Sequence, residues 1–225
     1  MNVPVLDYAA ARDCMVDSQL RPNRITDARI IRAMRSLPRE RFLPDAMACM
    51  AYIDEDIALP GGRCLMEPMV LAMLVQLARP RTGDKALVVG AGTGYGAAVL
   101  AACGAAVTAL EEDAGLLAVM RRALPGLAPG VTVIEGKLAS GHPGPWDVIL
   151  IEGAVPTLPV AISHQLNGHG GRLVTVLAQS PGMGKGILAE AVDPAAAAPV
   201  LRARPFFDCA TPMLPAFRPP AAFKF

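Results

Sequence analysis

Gly90, Gly92, Gly94 and Gly96 follow directly on the apolar run Ala86–Val89, and Glu111 ends the next apolar run downstream. That order reads as strand, tight turn, helix, strand, acid. Such a unit is suited to holding a nucleoside: glycines let the backbone approach the ligand, and a carboxylate accepts hydrogen bonds from ribose hydroxyls. Gly92-x-Gly94-x-x-Ala97 satisfies the dinucleotide fingerprint. The loop therefore admits a nicotinamide dinucleotide or another nucleoside cofactor.

The elements around this loop must place it at the mouth of a sheet. Apolar runs recur at 86–89, 105–110, 131–134, 148–151 and 173–177, with helix-like segments at 94–103, 113–124 and 157–166 between them. Alternating strands and helices predict a parallel sheet covered on both faces. Two later strands near 186–192 and 200–207 flank the low-complexity DPAAAAP. They lack a crossover helix, so they read as an antiparallel hairpin at one sheet edge. The prediction is seven strands.

Upstream, Asp7–Leu20 and Asp27–Ser36 carry apolar residues at helical spacing, with Thr26 or Asp27 as a cap for the second. Leu59-Pro60-Gly61-Gly62-Arg63 reads as a loop. Glu67-Pro68 opens a helix that Arg79-Pro80 ends. Arg39-Glu40-Arg41 reads as a solvated or ion-paired helix face.

Composition narrows the function. The 225 residues suffice for one sizeable core, and a net charge of +1 gives no electrostatic footprint for nucleic acid or an anionic membrane surface. The uncharged run at 86–110 is long enough for a membrane span, but its glycines fit two buried strands around a helix better. The N-terminus, with Asp7, Arg12 and Asp13, does not read as a signal peptide. The cysteines, Cys14, Cys49, Cys64, Cys103 and Cys209, are odd in number and form no C-x-x-C. They point to a reduced cytoplasmic protein. The three scattered histidines give no metal-ligand spacing.

Further blocks distinguish the cofactor. Trp146–Glu152 reads as a fourth strand, and the turn Asn167-Gly168-His169-Gly170-Gly171 leads into a fifth. This arrangement resembles methyltransferases that use S-adenosylmethionine. Residues 15–44, with Ile25-Thr26-Asp27 and Pro38-Arg39-Glu40-Arg41-Phe42, resemble the N-terminal helical segment of the protein-L-isoaspartate O-methyltransferase family. Tyr52–Leu77, the glycine loop, Trp146–Glu152 and Gln165–Val174 resemble its later blocks. The resemblance covers roughly residues 12–178, and Arg204–Asp208 is similar to the family's ending.

The resemblance implies an α/β, Rossmann-like class I methyltransferase fold. Residues 1–80 would be a helical segment and substrate loop packed on an S-adenosylmethionine-binding domain at 81–225. It implies methyl transfer to the carboxylate of isomerised aspartyl residues in proteins or peptides, a repair reaction that yields S-adenosylhomocysteine and needs no metal. Candidate cofactor-binding residues are Gly90, Ala91, Gly92, Thr93, Gly94, Tyr95, Glu111, Glu112, Gly136, Lys137, Leu138 and Glu152. A carboxylate acceptor is ionised at neutral pH, so the enzyme needs positioning groups rather than a general base.

Three positions depart from the family. Val88 stands where it has an acid, and Gly136-Lys137-Leu138 replaces Gly-Asp-Gly. Cys64-Leu65-Met66-Glu67-Pro68 replaces Thr-Ile-Ser-Gln-Pro, making Cys64, Met66 and Glu67 the substrate-loop candidates. Glu67 adds negative charge where the expected substrate is negative. These departures motivate two rival readings: a methyltransferase with a different acceptor, such as a small molecule, or a binding protein that has lost catalysis.

Overall fold

The computed structural model describes residues 7–180, 182–193 and 198–219. The sequence readings at residues 1–6 and 194–197 lie outside them. The uncharged runs become adjacent strands: β3 (Lys85–Val89), β4 (Ala106–Glu111), β5 (Thr132–Glu135), β6 (Val148–Val155), β7 (Arg172–Ser180), β8 (Met183–Ala191) and β9 (Leu201–Cys209). Their order in the sheet is β5-β4-β3-β6-β7-β8-β9. The first five are parallel, and β8 is antiparallel to both β7 and β9. Strand order reverses between β3 and β6. Ligands in open α/β sheets bind at such a reversal, beyond the carboxyl ends of the strands.

Three helices cover the central strands. In α3 (Pro68–Ala78) proline occupies the first turn, where its missing N–H costs nothing, and Arg79 ends the helix in a left-handed conformation. Its buried Val70, Leu71, Leu74, Val75 and Ala78 face the sheet. Complete burial of each Val or Leu contributes roughly 1.5–3 kcal/mol. The second helix, α4 (Tyr95–Ala102), is apolar on nearly every side because α2 (Ala28–Ser36) packs over it. Asp113 caps α5 (Ala114–Leu127) by accepting from the Leu116 N–H at 2.9 Å.

Several elements differ from the sequence reading. The segment Asp7–Leu20 is α1 (Tyr8–Met15) followed by one wide π-helical stretch, Val16–Leu20. The stretch 157–166 yields only the short α6 (Val160–Ser163), whose entry is limited by Pro156 and Pro159. The loop at 59–63 belongs to a two-stranded ribbon of β1 (Ile57–Leu59) and β2 (Arg63–Leu65), joined by the single turn Pro60–Gly62.

Arg39 corrects the solvated-face reading. Its side chain is fully buried, with Nε donating to the Ala51 carbonyl at 2.7 Å and Nη2 to the Met66 carbonyl at 2.6 Å. The guanidinium lies 4.8 Å from the Tyr95 ring centre, a cation–π contact that helps offset its desolvation. Arg39 thus ties the N-terminal helical segment to the start of α3.

Candidate functional site

The loop after β3 turns on glycines that sterics require. Gly94 is left-handed, with φ +96°, and a Cβ there would lie 2.8 Å from the Met120 side chain. It caps α4, so the loop leads directly into that helix's positive end. Ala91, Gly92 and Thr93 are buried beside it, and the Thr93 hydroxyl has no hydrogen-bond partner.

Glu111 ends β4 with no solvent exposure. Its Oε2 accepts from the Gly92 N–H at 2.8 Å. Its Oε1 accepts from the Glu112 and Asp113 N–H groups at 2.9 and 3.0 Å, and from Arg63 Nη1 at 2.7 Å. Arg63 comes from β2 and is 6% exposed. Its Nη2 donates to the Gly90 carbonyl at 2.7 Å, while its Nε is buried without a partner. Nothing in the local sequence pattern paired Arg63 with Glu111.

The remaining cofactor candidates divide into two groups. Glu112, Gly136 and Leu138 gather at the ends of β4 and β5, where the Glu112 carboxylate accepts from the Leu138 N–H at 3.1 Å. Lys137 is exposed beside them. Tyr95 turns away into the core, edge-on to Phe42 at 5.3 Å between ring centres. Glu152 lies within β6, against the first turn of α4, where a Cβ on Gly96 would meet its carboxylate. Burial pushes Glu152 up to about 8, only partly opposed by Arg63 and Arg39.

The substrate-loop candidates are less open than their sequence suggests. Met66 is sealed in the core, and burial raises the Cys64 thiol above its ordinary range, which disfavours a reactive thiolate. Glu67 precedes α3, and its N–H donates to Asp56 Oδ1 at 2.6 Å. Burial, then the negative charges of Asp54, Asp56 and Glu55, raise Glu67 to about 7.

The C-terminal segment supplies groups that local reading missed. Leu214 packs over Gly90 and Gly153, and its N–H donates to the Ala154 carbonyl at 2.9 Å. Thr211, Met213 and Arg218 of the same segment line a mainly apolar cleft of about 590 Å³ with Ala178, Gln179 and Met183. The segment therefore has the glycine loop on one side and an open cleft on the other.

A profile of the family described as Protein-L-isoaspartate(D-aspartate) O-methyltransferase matches residues 11–183. The chain belongs to this family. The Protein-L-isoaspartate O-methyltransferase of Methylorubrum extorquens is 40% identical over 178 residues, spanning 77% of each chain. That of Koribacter versatilis is 39% identical over 170 residues, spanning 74% of this chain and 76% of its own. Among solved structures, a protein-L-isoaspartate O-methyltransferase superposes with a TM-score of 0.74 at 22% identity, over 90% of this chain and 65% of its own. A Plasmodium falciparum structure assigned to the same enzyme class, in complex with S-adenosyl-L-homocysteine, gives 0.70 at 17% identity over 91% and 98%. These two likenesses establish the class I methyltransferase fold.

Within the family's frame, Val88 is a core residue of β3, paired in register with Leu150 of β6. Glu152 follows two residues later, in the stretch where the register of β6 against β7 shifts. A buried carboxyl thus follows shortly after the residue that pairs with Val88, where the family resemblance leads one to expect an acid. The site's backbone fits a nucleoside cofactor: left-handed glycines, a helix start and a carboxylate meet at the strand-order reversal. Among the side chains, Arg63 and Leu214 fill the space over Gly90 beside Glu111.

Proposed function

We propose that this chain is an S-adenosylmethionine-dependent O-methyltransferase acting in the cytoplasm on the carboxylate of isomerised aspartyl residues in proteins or peptides. The observation that carries this reading is the buried Glu111 carboxylate hydrogen-bonded to the Gly92 N–H at the strand-order reversal, in a chain of this family. When bound, S-adenosylmethionine supplies a methyl group on a positive sulfur that departs as a neutral thioether once an acceptor oxygen takes the methyl.

The chain's own part is positional. Glu111 would accept from the ribose hydroxyls, and Gly90, Gly92 and Gly94 would allow close backbone approach. Glu112, Leu138 and Lys137 would border the base. Glu152, held largely protonated at neutral pH, adds little negative charge near an anionic acceptor. Glu67, with its affinity for protons raised to about 7, is only partly charged there as well, which softens its conflict with a carboxylate substrate.

The test is transfer of a labelled methyl group to an isoaspartyl peptide, read as a base-labile ester. Ester formation that the normal aspartyl peptide does not support is the expected result. Binding of S-adenosylhomocysteine without any ester would instead favour a different acceptor, the reading that the buried Met66 supports.

A further inference from the structure

We propose that Arg63 closes the cofactor pocket from within, so that the nucleoside must displace the β1–β2 ribbon to bind; the inference rests on the cofactor reading above. A carboxylate offers about four acceptor positions. Glu111 already accepts from the Gly92, Glu112 and Asp113 N–H groups and from Arg63. Three of these donors crowd Oε1 and one meets Oε2, so a ribose diol that engages both oxygens needs the one movable donor to leave Oε1. That donor is Arg63, because the other three are backbone groups fixed by β4 and the glycine loop.

Arg63 also occupies the space the glycines leave open. Its Nη2 lies 3.0 Å from where a Cβ on Gly90 would stand, and the Leu214 side chain lies 3.3 Å from the same point. The volume that Gly90 frees for a ligand is filled by this chain's own guanidinium and leucine.

The plug is built to move. Arg63 sits on a three-residue strand of a two-stranded ribbon, a unit of marginal stability by itself. The ribbon's turn carries the exposed Gly61 and Gly62, both with φ +70°. The guanidinium's burial is incompletely compensated, since Nε has no partner. Gly62 lies beside Pro215 and Arg218, so the ribbon and the segment 211–218 form one two-part cover.

The experiment compares S-adenosylhomocysteine binding to the full chain and to Arg63→Gln, with Arg63→Ala as a second variant. Closure lowers apparent affinity by the fraction of open molecules. The expected result is about tenfold or greater tightening in the variants. The wild-type association rate should level off with ligand concentration, limited by opening, while that of Arg63→Gln rises linearly. Equal or weaker binding by both variants, with a linear wild-type rate, would overturn the proposal.

Hydrogen exchange without ligand gives a readout independent of cofactor binding. The Gly92, Glu112 and Asp113 amides should exchange slowly in wild type and faster in folded Arg63→Gln. Failure of all proteins to bind S-adenosylhomocysteine would remove the cofactor reading, while that exchange pattern would still uphold internal closure by Arg63. Fast exchange at these amides in wild type would sink the closure itself.

Discussion

Two buried arginines pair with carboxylates at opposite ends of the same sheet. Arg63 meets Glu111 at 2.7 Å beyond the carboxyl ends of β3 and β4. Arg172, opening β7, meets Asp84, just before β3, also at 2.7 Å. Both guanidiniums add bonds to backbone carbonyls: Arg63 to Gly90, and Arg172 to Ala78 and Arg79. Both leave Nε without a partner. Their chemistry is nearly the same, but their place in the fold is not. Arg172 sits at the amino ends of the strands and ties down the end of α3. Arg63 sits where parallel sheets bind ligands, carried by a short ribbon. Position relative to strand polarity, rather than pair geometry, separates a structural clamp from a pocket cover.

Substitutions can break this comparison in order of effect. Arg172→Ala leaves two helix-end carbonyls unpaired and Asp84 with only the Arg81 N–H, so unfolding by denaturant should show a loss of about 1–3 kcal/mol. The affinity of the folded fraction for S-adenosylhomocysteine should stay unchanged; a large change would dissolve the distinction between the two ends. Glu111→Gln should act on both properties. Beyond its stability cost, calorimetry should show ligand binding weakened by about 1–3 kcal/mol through lost charge-assisted hydrogen bonds.

Glu152 sharpens the comparison through pH. Its affinity for protons rises from the ordinary glutamate pKa of 4.5 to about 8 on folding, chiefly by burial. The folded state therefore holds more protons than the unfolded state between these values, and stability falls as pH climbs through that window. Denaturant midpoints measured from pH 5 to 9 should decline less for Glu152→Gln than for wild type. Parallel profiles would show that Glu152 is ionised in the folded protein. The smallest effect belongs to an exposed pair, Arg121–Glu135 at 3.2 Å. Arg121→Ala should cost less than about 1 kcal/mol and leave ligand binding untouched.

The sheet was legible because buried parallel strands write themselves as continuous apolar runs, and each of the five runs from 86 to 177 lies in a strand or overlaps one. The meeting of the glycine loop with Glu111 was legible for a similar local reason: the turn after one strand and the acid ending the next lie at short spacing in sequence. The ribbon was not. Ile57–Leu59 and Arg63–Leu65 are too short to show a two-residue period, and Pro60-Gly61-Gly62 reads as any loop does. Arg63 meets Glu111 across 48 residues of sequence, a contact that only the folded chain reveals. Arg39 was misread for a related reason. Its charge suggests solvent, and its partners are distant carbonyls that no local pattern advertises.

The most direct test is hydrogen exchange on wild-type protein with and without S-adenosylhomocysteine. The ligand should slow exchange across Gly90–Tyr95, loosen the ribbon at 57–65, and leave Asp84 and Arg172 unchanged. A bound ligand that leaves the glycine loop unprotected, or that instead protects the Arg172 end of the sheet, would contradict the assignment of this pocket.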